Sequence, residues 1–373
     1  MIKLILVRGS SAVISLALLF ILSKFFNSEI SDNIYIDMSL LMANTILLTF
    51  GFDKKIWKVR TKKESYNTYN IWFQFILFLT VPFILYSYYI DKLLIGIASL
   101  LLSLIFMISW ELQGSNKKYL STILFTLTLP LSFLFSIVLI HLYNLHYFSY
   151  AYFLVFFFCI ITIISIYKSD TLNLNFKFYE INYKKIFNEI KENSLIVIPA
   201  YIASLSIYLL LEKTSLQSPG DTFEYSGIIR LMAGINIFSF ALNRDTINST
   251  KKSKTSIISK NHLLLVLVSL IYLVIIYLFS DYLSHFLNFN ISSANVLSLV
   301  LLNILANYML TQKIFYCVNK NLYQEIAFSS IFGSIIAIIG LYLFHLDLFI
   351  LTSIVFISSF LRLVSIIYLI KDK

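Results

Sequence analysis

The chain has 373 residues, of which 59% are apolar and 13% are charged. Soluble domains are about 45–50% apolar and about 25% charged, so the composition excludes a soluble globular protein, a disordered chain and a secreted disulfide scaffold. The net charge of +10 is compatible with nucleic-acid binding, but in a membrane protein basic residues mark cytoplasmic loops. We therefore predict a polytopic membrane protein that binds no nucleic acid. Its two distant cysteines predict neither a disulfide nor a metal cluster.

Continuous apolar runs of about 20 residues predict transmembrane helices rather than the alternating strands of a barrel. Twelve such runs occur, at 5–25, 34–52, 70–90, 93–110, 121–141, 147–167, 194–212, 223–242, 263–280, 295–312, 324–345 and 348–370. The predicted fold class is an all-α polytopic membrane protein of about twelve transmembrane helices in two six-helix lobes. An even number of spans places both termini on the same side of the membrane.

The distribution of basic residues orients these spans. Of the 29 Lys and Arg residues, 23 lie at the termini or in the connections from even to odd spans. The loops on the other side hold only Lys24, Lys92 and Lys213, and the spans themselves hold Arg8, Arg230 and Arg362. Because basic residues are enriched on the cytoplasmic side, we predict cytoplasmic termini. Cys317 is then predicted to face the cytoplasm and Asn144 the outside.

The longest polar interval separates the sixth span from the seventh. Its apolar residues recur at helical spacing among lysines and a glutamate, which predicts an amphipathic helix on the inner membrane surface; an ordinary solvated loop is the alternative. The predicted organisation is a six-helix lobe at 1–168, a cytoplasmic linker at 169–193 and a second six-helix lobe at 194–373.

Several stretches resemble a known transporter family. VRGSSAVISLALLFILSKFFN and YIDMSLLMANTILLTFGFDKKIW are similar to the opening of Wzx-type polysaccharide and O-antigen flippases, which belong to the MATE-like multidrug/oligosaccharidyl-lipid/polysaccharide superfamily. WELQGSNKKYLS resembles the turn between the fourth and fifth helices of that family. IPAYIASLSIYLLLEKTS and YSGIIRLMAGINIF resemble its helices 7 and 8.

The resemblance implies a function. Proteins of this family move undecaprenyl-pyrophosphate-linked oligosaccharide repeat units of lipopolysaccharide or capsule from the cytoplasmic to the periplasmic leaflet of the bacterial inner membrane. Two lobes alternate access to a cavity that spans 1, 2, 7 and 8 line. It also implies no cofactor, and as partners the lipid-linked oligosaccharide, membrane lipids, a polysaccharide polymerase and a chain-length regulator.

Arginines within spans are candidate ligands of such a substrate. An arginine near the bilayer centre costs about 2.5–3.5 kcal/mol on the insertion scale, so it should face protein or water, and its guanidinium binds phosphate oxygens bidentately. We predict substrate-binding roles for Arg230, Arg8 and Arg362. The alternatives are a structural pair of Arg230 with Glu224 or with another helix, and snorkelling of Arg8 to the inner headgroups.

Other polar residues in the spans suggest sugar binding and ion coupling. Asn44, Asn236 and Asn243 are candidate ligands for sugar hydroxyls, although asparagine also joins membrane helices by hydrogen bonds. Asp37 and Glu224, near the outer ends of spans 2 and 8, are candidates for coupling transport to protons or sodium. No metal site is predicted.

Two other functions remain open. A membrane-embedded polymerase or glycosyltransferase would act on the same lipid-linked sugars, but the longest outer loop, at 281–294, contains a single acid. A cation-coupled drug exporter of the same fold should have acidic residues in its cavity, whereas the charges within these spans are mainly arginine. The sequence therefore predicts a transporter and not an enzyme.

Overall fold

The computed structural model of the chain describes residues 2–58, 62–114, 117–168, 183–232, 235, 260–287, 294–320 and 322–371. Its regular structure is helical throughout these ranges, with no strand among them. This confirms the predicted all-α class.

The helices of the amino-terminal half follow the predicted spans in order. They are α1 Ile2–Phe25, α2 Ser28–Thr49, α3 Phe52–Lys58, α4 Lys62–Tyr89, α5 Leu93–Gly114, α6 Lys118–Leu142 and α7 Tyr150–Lys168. A short 3₁₀ turn, Tyr147–Ser149, precedes α7.

The helices of the carboxy-terminal half do the same. They are α8 Tyr183–Gln217, α9 Asp221–Leu231, α10 Lys260–Leu278, α11 Ser280–Leu287, α12 Ala294–Asn319, α13 Tyr323–Leu343 and α14 Leu348–Ile370. The second half of the predicted span 223–242, with Asn236 and Asn243, lies outside the described residues.

Length and composition mark most of these helices as membrane spans. Within the described ranges, eight helices are long and apolar enough to cross a bilayer, and α10 and α11 together form a ninth candidate that is bent by 68°. With α1, α2 and α9, which occupy predicted spans 1, 2 and 8, they match the roughly twelve expected helices. The helices expose many large apolar side chains, as lipid-facing surfaces do.

The second helix differs from its predicted bounds for a local reason. It begins at Ser28, six residues before the predicted span, because Asn27 Oδ1 accepts a hydrogen bond from the backbone N–H of Ile30 at 2.8 Å and so caps the first turn. The polar segment before the span, including Asp32, is therefore helical.

The polar interval before span 7 is described from Tyr183 onward, and residues 169–182 of the predicted linker lie outside the described residues. Residues 183–193 form the first turns of α8, which continues for 35 residues to Gln217. At 1.5 Å per residue, a helix of about 50 Å is longer than the hydrocarbon core of roughly 30 Å. Its polar amino-terminal turns therefore extend beyond the apolar layer.

The chain divides into two compact units by its internal contacts. The first comprises residues 1–18 and 37–201, and the second comprises residues 19–36 and 202–373. Three helices, α1, α2 and α8, each contribute residues to both units.

One hydrophobic cluster of the first unit lies at the end of α2 and the start of α3. The aromatic side chains of Phe50, Phe52 and Trp72 pack there with Leu48 and Met107. The Trp72 indole Nε1 donates to the Leu48 carbonyl at 2.9 Å, so the polar atom of a large buried ring is satisfied.

In the second unit, α14 packs against both α12 and α13. Helices α13 and α14 approach closely at a small residue, Gly340. A Cβ added there would lie 2.4 Å from the Ile354 side chain. Close approach at small residues is the usual means of packing helices in membranes.

The orientation predicted from the basic residues can be tested by cysteine labelling. Cys317 is fully buried, so its failure to react would not report its side of the membrane. Lys320→Cys and Tyr143→Cys place thiols at two exposed positions that the prediction puts on opposite sides. In a Cys159→Ser background, we expect a membrane-impermeant maleimide to label position 143 in intact cells and position 320 only after permeabilisation. The reverse pattern would invert the predicted topology.

Candidate functional site

The arginine of α9 is held against an aromatic ring of α2. The guanidinium carbon of Arg230 lies 4.8 Å from the centroid of the Tyr35 ring, within the range of a cation–π interaction. Tyr35 is buried and Arg230 is partly exposed. The ring therefore helps to fix the orientation of the cation.

A second aromatic contact extends this arrangement along the same two helices. The rings of Tyr35 and Phe223 lie 5.9 Å apart between centroids. Phe223 and Arg230 are seven residues apart in α9 and share one helix face, about 10 Å apart along the axis. We call the set of Phe223, Tyr35 and Arg230 the α2–α9 column. All three belong to the second compact unit.

A buried carboxylate joins α2 to the turn between α8 and α9. Asp32 is 0% exposed, and its Oδ2 accepts from the Ser215 hydroxyl at 2.9 Å and from the Gly220 N–H at 2.8 Å. Its Oδ1 accepts from the Phe223 N–H at 2.6 Å. Asp32 thereby satisfies amide groups at the start of α9, which have no partner within the helix.

Gly220 is required at this turn by its conformation. Its φ of +99° is unfavourable for residues with a Cβ, and an added Cβ would lie 3.3 Å from the Ser28 side chain. The amino-terminal ends of α2 and α9 are therefore brought together by one glycine and one carboxylate.

Burial raises the pKa of Asp32 above its ordinary value, and the Asp221 carboxylate raises it further, although the three hydrogen-bond donors act in the opposite direction. Burial also raises the pKa of Asp221, whose Oδ2 accepts from the Leu348 N–H at 2.7 Å. Asp347 Oδ1 caps the next turn through the Ile350 N–H at 2.8 Å. The acids at this end of the second unit thus serve the starts of α9 and α14.

Lys213 was predicted to lie in an outer loop. In the structure it lies in the last turns of α8 and contacts the carboxyl end of α13. Its Nζ donates to the carbonyls of Leu341 and Phe344, the latter at 3.2 Å. A cation at the carboxyl end of a helix is favoured by the helix dipole.

Asp37, predicted to couple ions, makes an ion pair in the first unit. Its Oδ1 lies 2.7 Å from Lys92 Nζ, and the Tyr150 hydroxyl donates to its Oδ2. The carboxylate is buried and the lysine is partly exposed. Lys92 compensates a buried charge that would be costly without a partner.

Arg362 packs against α13 within the second unit. Its Nη2 donates to the Ser330 hydroxyl at 3.2 Å. Its side-chain stem covers Gly333, where an added Cβ would lie 2.4 Å from Arg362 Cγ. The glycine thus provides the space in which the arginine stem lies.

The remaining predicted site residues are separate from this arrangement. Asn44 lies in the first unit and is 1% exposed, and its Oδ1 accepts no hydrogen bond from the described part of the chain. Glu224 is partly exposed in the first turn of α9. Arg8 lies in α1, but its side chain lies outside the described structure, and Asn236 and Asn243 lie outside the described residues altogether.

The residues that orient the predicted ligands carry no recognisable pattern in the sequence. Tyr35 was not singled out among 25 tyrosines, and Tyr150 and Lys92 were not predicted to contact Asp37. The only available signal was the placement of Tyr35 and Phe223 near the outer ends of predicted spans 2 and 8. No group of three or more His, Cys, Asp or Glu residues in the described ranges could hold a metal ion.

Comparison with known proteins identifies the fold. No protein-family model matches the sequence, and no curated protein is significantly similar to it. The solved structure of the lipid II flippase MurJ in an inward closed conformation aligns with 100% of this chain and 88% of its own, with a TM-score of 0.71 and 10% sequence identity.

Two further solved structures align almost as completely. A MOP superfamily transporter from Pyrococcus furiosus covers 98% of this chain and 93% of its own, with a TM-score of 0.61 and 13% identity. A MATE protein in complex with MaL6 covers 97% and 93%, with a TM-score of 0.58 and 12% identity. At these identities the likeness shows the fold alone. This chain is a multi-pass membrane protein with the fold of MurJ and the MATE transporters.

Proposed function

We propose that this protein is a flippase for undecaprenyl-pyrophosphate-linked oligosaccharide repeat units, which it moves from the cytoplasmic to the periplasmic leaflet of a bacterial inner membrane. The observation that carries the proposal is the position of Arg230. This residue lies in predicted span 8, and its guanidinium contacts the Tyr35 ring. The fold, shared with a structure named as a lipid II flippase, supports the same class of function.

The chemistry of the substrate explains why such a cation is needed. A phosphate-bearing headgroup cannot enter hydrocarbon without losing its hydration, which costs far more than the lipid tail can offset. Arginine stays charged at any cellular pH and offers two parallel N–H donors to phosphate oxygens. With Tyr35 holding the guanidinium, Arg230 replaces part of the lost hydration. The transfer makes and breaks no covalent bond.

A cation-coupled drug exporter is the second candidate, because a MATE structure shares the fold. A cationic drug requires accessible acids; Asp37 is already paired with Lys92, and Glu224 is only partly exposed. The arrangement of charges therefore favours an anionic substrate. Alternating access, cytoplasmic termini, and association with a polysaccharide polymerase and a chain-length regulator belong to the same proposal.

Deleting the gene should leave completed lipid-linked repeat units on the inner leaflet and no polymer on the cell surface. The measurement is the sidedness of radiolabelled lipid-linked sugar in spheroplasts, probed with an impermeant lectin or glycosidase. A strain lacking the polymerase serves as the control, because its single units still cross. Outward-facing units in the deletion strain, with only polymer length lost, would favour an enzyme, and altered resistance to cationic drugs alone would favour a drug exporter.

A further inference from the structure

A cavity of about 240 Å³ lies at the outer end of the α2–α9 column, where the end of α1 and the starts of α2 and α9 meet. All eight of its lining residues belong to the second unit. One wall is formed where Gly220 approaches Ser28. The volume lies below the roughly 300–1,000 Å³ of pockets for drug-sized ligands, so it suits a single small ring.

The lining contains a buried polar atom with no partner in the described structure. Ser31 is 1% exposed, and its Oγ makes no hydrogen bond within the described ranges. A serine in a helix can satisfy its hydroxyl by donating to a carbonyl three or four residues earlier, as the lining residue Ser23 does to Phe20 at 2.8 Å. A buried hydroxyl without a partner is costly, and a ligand hydroxyl in the cavity would satisfy it.

The other lining groups define the chemical class of the ligand. Asn27 and Glu224 add an amide and a carboxylate, and Phe26 and Phe223 add two aromatic rings. None of the eight lining residues is Lys or Arg, whereas one is a glutamate, so the lining disfavours a free anion. A pyranose ring matches this lining, since its hydroxyls bond to amide, carboxylate and serine groups and its C–H face packs on an aromatic ring.

The position of the cavity relative to Arg230 fits a sugar joined to a phosphate. Ser31 and Tyr35 are four residues apart in α2 and share one face, as do Phe223 and Arg230 in α9. The cavity and the cation therefore lie on the same column, about 10 Å apart along the α9 axis. This distance is of the size of one sugar ring with its phosphate link.

We propose that this cavity is a binding site for one monosaccharide ring of the lipid-linked substrate, with Ser31 and Phe26 as recognition residues. The identity of the whole substrate rests on the proposed flippase function. The affinity of the cavity for a sugar does not depend on it. The cavity binds the sugar nearest the phosphate while Arg230 binds the phosphate.

The probes are free glucose, galactose and N-acetylglucosamine at millimolar concentration, with purified full-length protein in nanodiscs. We expect saturation-transfer NMR to show binding of at least one of them. Ser31→Ala should weaken that binding about 3- to 10-fold, the range expected for one hydrogen bond, and Phe26→Leu should weaken it by a similar factor.

Two matched variants control for nonspecific effects. Ser269→Ala removes another buried serine hydroxyl that has no partner in the described structure, and Phe25→Leu alters the neighbouring aromatic ring, which is 53% exposed and not in the cavity lining. Both should bind sugar as the unmodified protein does.

Absence of sugar binding to the unmodified protein, or equal binding by Ser31→Ala, would overturn the proposal. Saturation transfer to glycerol phosphate alone would assign the cavity to a lipid headgroup instead and would also overturn it. The gene-deletion assay is independent of these results. If the deletion strain accumulates lipid-linked repeat units on the inner leaflet but the purified protein binds no sugar, the flippase function is supported and only the sugar site is excluded.

Discussion

Replacing Arg230 with alanine is expected to abolish export while the protein remains in the membrane at normal abundance. Hydrogen bonds to charged groups contribute about 1.5–3 kcal/mol each, so loss of even one such contact should weaken phosphate binding by about 10- to 150-fold. Arg230→Lys should retain partial export, because it keeps the charge but loses the two parallel donors. The readout is the sidedness assay in spheroplasts, with abundance measured by immunoblotting.

The aromatic contact provides a graded test of the same site. Tyr35→Leu removes the ring on which the guanidinium lies, a contact that contributes about 0.5–2 kcal/mol, and should therefore reduce export partially. Tyr35→Phe keeps the ring face and should behave nearly as the unmodified protein. Lys320→Ala removes one charge at an exposed turn and controls for net charge. Full export by Arg230→Ala would remove Arg230 from the substrate site.

Replacing Asp32 with alanine should cause the largest loss of stability among these variants. The change leaves the Gly220 and Phe223 N–H groups without their acceptor, and each buried unsatisfied donor costs about 1–3 kcal/mol. We expect the free energy of unfolding to fall by about 2–5 kcal/mol, measured by SDS titration in mixed micelles with tryptophan fluorescence. Asp281→Ala, at an exposed acid, should change it by less than about 0.5 kcal/mol.

The pH dependence of stability gives an independent readout of Asp32. Because its pKa is raised in the folded state, the folded chain binds the proton more tightly than the unfolded chain does. The contribution of Asp32 to the free energy of unfolding is therefore greatest at low pH. It falls as the pH rises from the ordinary carboxyl pKa through the raised pKa that Asp32 has in the folded state. Asp32→Asn cannot titrate and should lack this fall. Identical pH profiles for the two proteins would contradict the assignment.

The Arg230 and Asp32 variants separate function from folding at the same helix, α9. Arg230 and Asp32 both act on α9, but one presents a charge to a ligand and the other satisfies the backbone where the helix begins. A loss of export in Arg230→Ala with unchanged unfolding, beside a loss of stability in Asp32→Ala, would show that these roles are distinct.

The sequence by itself determined the fold class and the approximate positions of the spans. Hydropathy is a local property that adds up along about 20 residues, so helix α14 was predicted at 348–370, and it begins at Leu348 and ends at Ile370. The bounds of α2 were less accurate, because its amino-terminal turns carry Glu29 and Asp32 and are capped by Asn27. Composition within a span reveals its apolar core, but not how far a polar end remains helical.

Only the tertiary structure decided which polar groups meet. Asp32 accepts from residues 183, 188 and 191 positions away in the chain, and Arg230 lies over Tyr35. Asp37 was a candidate because it lies near the predicted outer end of span 2, but its pairing with Lys92, just before α5, and with Tyr150 depends on how α2, α5 and α7 are arranged. Burial in a membrane requires each charge to find a partner, and the partner is set by the packing of distant helices, which no local pattern in this sequence encodes.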